Sequence, residues 1–175
     1  IGGGDSEFEQ ACEALRERFP FGAWKRRKGK YTGKWLEQND TLDEIIMHQK
    51  PSIAMLQQID VSTARRKDLK AEVTPEELHL ARSLCGSLSF LAKETRPDLS
   101  GPVSLAQGRM PQLVVEDLLE ISRIARQAVE NNDIELKIRA VPLDNLAFTV
   151  FNDAAWANAR EGASQAGYIV YACEK

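Results

Sequence analysis

The chain has 175 residues, 43% hydrophobic and 28% charged, with a formal net charge of −3; these ordinary values suit one or two folded domains and exclude a disordered chain. No run approaches the roughly 18 apolar residues of a membrane span, and the N-terminal stretch lacks the basic-then-apolar pattern of a secretory signal, so the chain reads as intracellular with no membrane partner. Three distant cysteines, Cys12, Cys85 and Cys173, and only two histidines, His48 and His79, without HExxH or a nucleophile elbow, argue against a disulfide framework, a zinc site and a hydrolytic triad.

In chain order, Asp5 or Ser6 caps a helix over Glu7 to Phe19, acidic in its first turn and carrying Arg16 and Arg18 in its last, as the helix dipole prefers. Pro20 stops it. The stretch FGAWKRRKGKYTGKWLEQ alternates apolar and polar residues and predicts two antiparallel strands turning near Lys28-Gly29. Gly33, inside the second strand, marks a close backbone approach or a bulge. A third strand fits Glu44 to Gln49, and Pro51 opens a short helix to Ile59. Between Lys25 and Lys34 six Lys/Arg occur without an acid, a local positive field that the net charge hides. A basic hairpin equally serves as soluble edge protection. Asp60 to Val73, with Arg65, Arg66, Lys67 and Lys70, reads as a basic exposed loop.

From Thr74 to Asp98 a start signal, a long helical period and a stop signal agree. Thr74 caps the first turn, Pro75 sits where its missing N–H costs nothing, and Glu77 reaches back to Thr74. At about 100° per residue, Leu80, Ala81, Leu84, Leu88, Leu91 and Ala92 fall on one side and His79, Arg82, Ser83, Gly86, Phe90 and Lys93 on the other. The second side is odd for a solvated face, because Gly86 costs roughly 1 kcal/mol against alanine in a helix and an aromatic follows one turn later. Either the helix is buried on both sides, or this face lies against something smooth and extended, such as a nucleic-acid groove. Pro97 starts a second helix through Val103 and Ala106, and a third carries Val114, Leu118, Ile121, Ala125 and Val129 in period. Ile134 to Ala140, Leu146 to Asn152 and Gln165 to Cys173 then read as strands, with a boundary near Asn132. The cysteines read as reduced core residues, and Trp24 and Trp156 as packing residues.

Taken together, TPEE followed by GSLSFLAKETRPDLS resembles the segment after the polymerase palm in copia-type retrotransposon reverse transcriptases. FPFGAWKRRKGKYTGKWLEQ is similar to the same family's glycine-containing hairpin, and FNDAAWAN followed by SQAGYIV to the opening hairpin of its ribonuclease H domain. The three motifs occur in the family's order and span almost the whole chain. The resemblance implies an α+β fold in three parts: residues 1–49 as a palm-end helix with a basic, primer-grip-like antiparallel hairpin, residues 50–132 as a helical thumb and connection, and residues 133–175 as the first strands of an incomplete ribonuclease H-like sheet.

The resemblance also implies a function: part of an RNA-directed DNA polymerase that grips an RNA–DNA or DNA primer-template duplex alongside the rest of its polyprotein. It matches Gly86 and Phe90 to a minor-groove contact, with Arg82 and Lys93 for phosphates, and Gly33 with Lys30 and Lys34 to a primer grip. Asp153 matches the first catalytic, metal-binding carboxylate of ribonuclease H. That chemistry uses Mg²⁺ in the intact parent enzyme and needs several carboxylates, so tight Mg²⁺ binding by this chain is not expected. The chain opens at Ile1 and ends within a strand, so both ends read as cut; the polymerase aspartates belong before it and the remaining acids after it. The alternative is a decayed or repurposed fragment acting as a nucleic-acid-binding or protein interaction module.

Overall fold

A computed structural model describes residues 6–175 apart from Phe21, Trp24 and Asn158. The capping role expected of Asp5 and the packing role expected of Trp24 lie outside the described residues. The fold is mixed α+β: five helices, a four-strand antiparallel sheet and a separate antiparallel hairpin. The helices are α1 (Ser6–Arg18), α2 (Lys50–Ala54), α3 (Pro75–Glu94), α4 (Ser100–Gly108) and α5 (Val115–Glu130).

The sheet runs in the order β1 (Lys28–Tyr31), β2 (Lys34–Gln38), β3 (Glu44–His48), β4 (Leu136–Arg139). The β1–β2 turn is at Thr32-Gly33, not near Lys28-Gly29 as the alternation suggested, and both turn residues have positive φ, 46° and 84°. A two-residue hairpin of this kind matches the right-handed twist of its strands, and glycine meets the positive φ without strain. β4 follows α5 yet pairs with β3, Ile45 opposite Ile138 and Met47 opposite Leu136, so the sheet joins strands from either side of residue 132. The last two strands, β5 (Leu146–Ala155) and β6 (Gln165–Glu174), form their own ribbon in unbroken register from Leu146↔Glu174 to Ala155↔Gln165.

The core lies among α2 to α5. α3 forms as its sequence dictates: the Thr74 hydroxyl accepts the Glu77 N–H at 3.1 Å, and the Glu77 carboxylate accepts the Thr74 N–H at 2.8 Å. Leu84, Leu88 and Leu91 of α3 are buried with Leu118, Ile121 and Ile124 of α5. Each such side chain contributes about 1.5–3 kcal/mol relative to staying exposed. Leu80 departs from the wheel: it is exposed at the edge of a cleft beside Met55 and Ser83. The segment read as an exposed loop, Asp60 to Val73, is partly internal, since Val61 is buried beside Ile59. α2 ends at Ala54, before the expected Ile59. Cys12 and Cys85 are buried and free, whereas Cys173 is only half-buried on the ribbon. Burial pushes the Cys85 thiol up to about 11.

The TRPD stretch after α3 is a structural clamp. Arg96 is fully buried, its guanidinium donating to Asp98 through Nε at 2.9 Å and Nη2 at 2.8 Å, and through Nη1 to the carbonyls of Ala128 and Asn131 at 3.1 and 2.9 Å. These carbonyls are among the last of α5, where no intrahelical donor remains for them and the dipole favours a cation. The Thr95 hydroxyl donates to Gln49 Oε1 at 2.9 Å. One tetrapeptide thus ties the end of α3 to the end of α5 and to the β3–α2 junction.

Candidate nucleic-acid interface

The second side of α3 is solvent-facing: His79, Arg82, Ser83, Gly86, Phe90 and Lys93 are all exposed. A helix buried on both sides is therefore excluded. A Cβ added at Gly86 would meet nothing within 4 Å, so no internal contact requires glycine there. Arg82 and Lys93 lie either side of Gly86 along the helix, and neither forms an ion pair among the described residues.

The basic hairpin comes to this same helix. The Gly33 backbone lies on the Phe90 ring, where an added Cβ would stand 3.0 Å from Cζ and 3.2 Å from Cε1. The close approach expected at Gly33 is real, but it belongs to a turn and its partner is Phe90. Next to it, Lys34 Nζ forms an ion pair with Glu94 in the last turn of α3. The turn is thereby fixed on the C-terminal half of α3 by one van der Waals contact and one ion pair. Phe90 keeps 42% exposure and lines a cleft of about 440 Å³ with Met55, Gln58, Leu80, Ser83 and Ser87.

Most of the hairpin's cations are already engaged. Arg26 pairs with Glu9 at 3.2 Å, Arg27 with Asp40 at 2.6 Å and Lys28 with Glu37 at 2.7 Å, besides Lys34 with Glu94. Hydrogen bonds from Lys28 and then His48 hold the Glu37 carboxyl below the usual carboxylate range. Lys25 and Lys30 are left without an ion pair among the described residues. The second basic cluster is largely consumed as well: Arg65 is bidentate to Glu77, Arg66 donates to the Val61 carbonyl, and Lys70 pairs with Glu116. Among the described residues Lys25, Lys30, Lys67, Arg82 and Lys93 pair with no acid and Arg66 reaches only a carbonyl; of these, Arg82 and Lys93 lie on α3. Of the eight residues singled out from sequence, Gly33, Lys34, Gly86, Phe90, Arg82 and Lys93 meet on or against α3. Lys30 is on β1, in the same hairpin as Gly33. Glu94 was missed, because nothing in its own surroundings marks a partner sixty positions away.

Asp153 stands elsewhere, exposed on β5 opposite Gly167, with its Oδ1 accepting the Ala154 N–H at 2.8 Å. Among the described residues no group of three or more His, Cys, Asp or Glu side chains is arranged to hold a metal ion. Two-metal chemistry needs several converging carboxylates, so the residues present do not fit a Mg²⁺ pair, and no reaction step is assigned to Asp153. Trp156, expected to pack, is 91% exposed in the turn just after that strand. No protein-family model, no curated protein and no solved structure matches the chain.

Proposed function

We propose that this chain is the duplex-gripping part of a copia-type reverse transcriptase, with α3 and the β1–β2 hairpin as thumb and primer grip and β5–β6 as the first strands of a ribonuclease H-like sheet. In this reading it holds primer-template while chemistry is done by residues outside it. The observation that carries the proposal is the α3 face. A glycine with open space beyond it sits mid-helix at a cost of roughly 1 kcal/mol, between two free cations and beside a half-exposed aromatic. The fold accounts for part of Phe90, which seats the Gly33 turn, but not for Gly86 or the flanking cations, for which close approach to a groove accounts. The glycine lets the helix backbone near the sugar edges, Phe90 offers an apolar contact, and Arg82 and Lys93 meet phosphates on either side.

Docking of the hairpin turn on Phe90 brings Gly33 and Lys34 to α3, and Lys30 lies in the same hairpin, exposed and opposite Trp35. Lys34 has a different role: with its charge answered by Glu94, it positions the hairpin. Anisotropy of labelled RNA–DNA and DNA duplexes over a salt series tests the reading. Lys30→Ala and Arg82→Ala each reduce the slope of log affinity against log salt by about 1, and Phe90→Ala weakens binding at every salt concentration. Unchanged affinity in both Lys30→Ala and Phe90→Ala sinks the assignment.

A further inference from the structure

Although 28% of the chain is charged, none of the described residues lining the cleft beside Phe90 carries a charge. Its walls are α3 and the segment from Ser52 to Ile59. Met55, Leu80 and Phe90, at 81%, 51% and 42% exposure, leave apolar surface open to solvent there. Among them stand groups that both donate and accept hydrogen bonds: the amides of Gln57 and Gln58 and the hydroxyls of Ser83 and Ser87. The Ser87 hydroxyl donates its proton to the Ser83 carbonyl at 3.3 Å, which leaves its oxygen free to accept. At about 440 Å³ the cleft has the size of a small-ligand site. Its lining suits a neutral, flat-faced group with hydrogen-bonding edges.

Positive charge lies on the other flank of the same helix. Counting about 100° per residue from Gly86, Arg82 and Lys93 fall to one side, and Leu80, Ser83, Ser87 and Phe90 to the other. Between Glu77 and Glu94 α3 holds no acid, and Glu94 is held by Lys34. A ligand spanning both flanks is met by cations at one end and by a neutral, partly apolar cleft at the other. A nucleotide has that distribution, with its charge on the phosphate and a base that is a neutral plane with polar edges. An apolar peptide would leave the amides and hydroxyls against hydrocarbon and the cations unused. We propose that the cleft takes an unpaired nucleobase, stacked on Phe90 and met at its edges by the Ser and Gln side chains, from a strand whose phosphates lie on Arg82 and Lys93. The proposal rests on the nucleic-acid reading of α3 and deepens it: beside the duplex, the surface holds a nucleotide outside base pairing.

Anisotropy of labelled single strands at fixed salt tests it, comparing oligothymidylate with an abasic strand of the same length, which keeps every phosphate and lacks the bases. The full chain binds oligothymidylate more tightly by about tenfold, the scale of one base stacked on an aromatic side chain. Phe90→Ala removes that preference, and Arg82→Ala weakens both strands alike. Because Phe90 also seats the Gly33 turn, Leu80→Ala and Met55→Ala supply the check: both are exposed wall residues outside that contact, and each narrows the preference. Equal affinity for the two strands, or a preference that Leu80→Ala and Met55→Ala both leave unchanged, overturns the inference. If RNA–DNA and DNA duplexes still bind in that case, the duplex-gripping reading stands; if neither single strands nor duplexes bind, both fall.

Discussion

Replacing Gly86 separates a structural from a binding role for the α3 face, because the two move in opposite directions. Gly86 is mid-helix, and the space where a Cβ would stand is empty to 4 Å. Gly86→Ala therefore gains the full helix-propensity difference, about 1 kcal/mol, with no steric term to offset it. For a domain of this length that raises Tm by about 2–4 °C. The same methyl group stands where the proposed interface needs the backbone to approach, so duplex affinity falls while stability rises. Gly86→Leu exaggerates the effect, with binding weakened on the order of tenfold, equivalent to about 1.4 kcal/mol. Thermal unfolding gives the first quantity and duplex anisotropy at fixed salt the second. If Gly86→Ala stabilises the protein and both variants bind duplex as tightly as the parent, close approach at Gly86 is refuted.

Gly33→Ala destabilises through two separable causes: a φ of +84°, which costs an L residue about 1–2 kcal/mol, and a Cβ placed 3.0 Å from Phe90 Cζ. Gly33→Asn tolerates the backbone better but keeps the contact, so it loses less stability, and in a Phe90→Ala background its remaining penalty disappears in urea titrations. Arg96→Ala removes a fully buried guanidinium from the partly exposed Asp98 and from two α5 carbonyls; leaving those carbonyls unpartnered costs about 1–3 kcal/mol. Arg96→Lys recovers little of it, since an ammonium cannot reproduce the fork. Glu77 is held below its ordinary carboxylate pKa, chiefly by its hydrogen bonds from Arg65 and also by the Thr74 N–H. Its stabilising contribution is therefore present above the unfolded-state pKa and is lost as pH falls through the folded value. Glu77→Gln is less stable at neutral pH and less sensitive to that fall, which urea midpoints measured over an acid pH series will reveal.

Local signals were legible wherever a residue's own neighbours determine its conformation. The α3 cap needs only Thr74, Pro75 and Glu77, all within one turn, and the side exposed in the structure is the one the helical period named, with the exception of Leu80. Leu80 is exposed and borders the cleft beside Met55, a matter of what packs against that turn of the helix. The hairpin turn was misplaced because Lys28-Gly29 and Thr32-Gly33 offer similar turn chemistry; the second supplies two positive-φ positions and leaves Trp35 opposite Lys30, in register.

What the sequence determined by itself was the class of most elements, the identity of the unusual α3 face and the local excess of Lys and Arg, although the stretch before Lys28 read as a strand and its described residues form none. Those are properties of composition and short-range period. What only the tertiary structure decided was which charges remain available and what each glycine faces. Lys34 finds Glu94, Arg65 finds Glu77, and Lys70 finds Glu116 across separations that no local pattern encodes. Gly33 meets a ring while Gly86 meets open space, a difference that neither glycine's own neighbours encode. The physical reason is the same in each case: a charge or a close contact is defined by its partner, and folding assigns the partner.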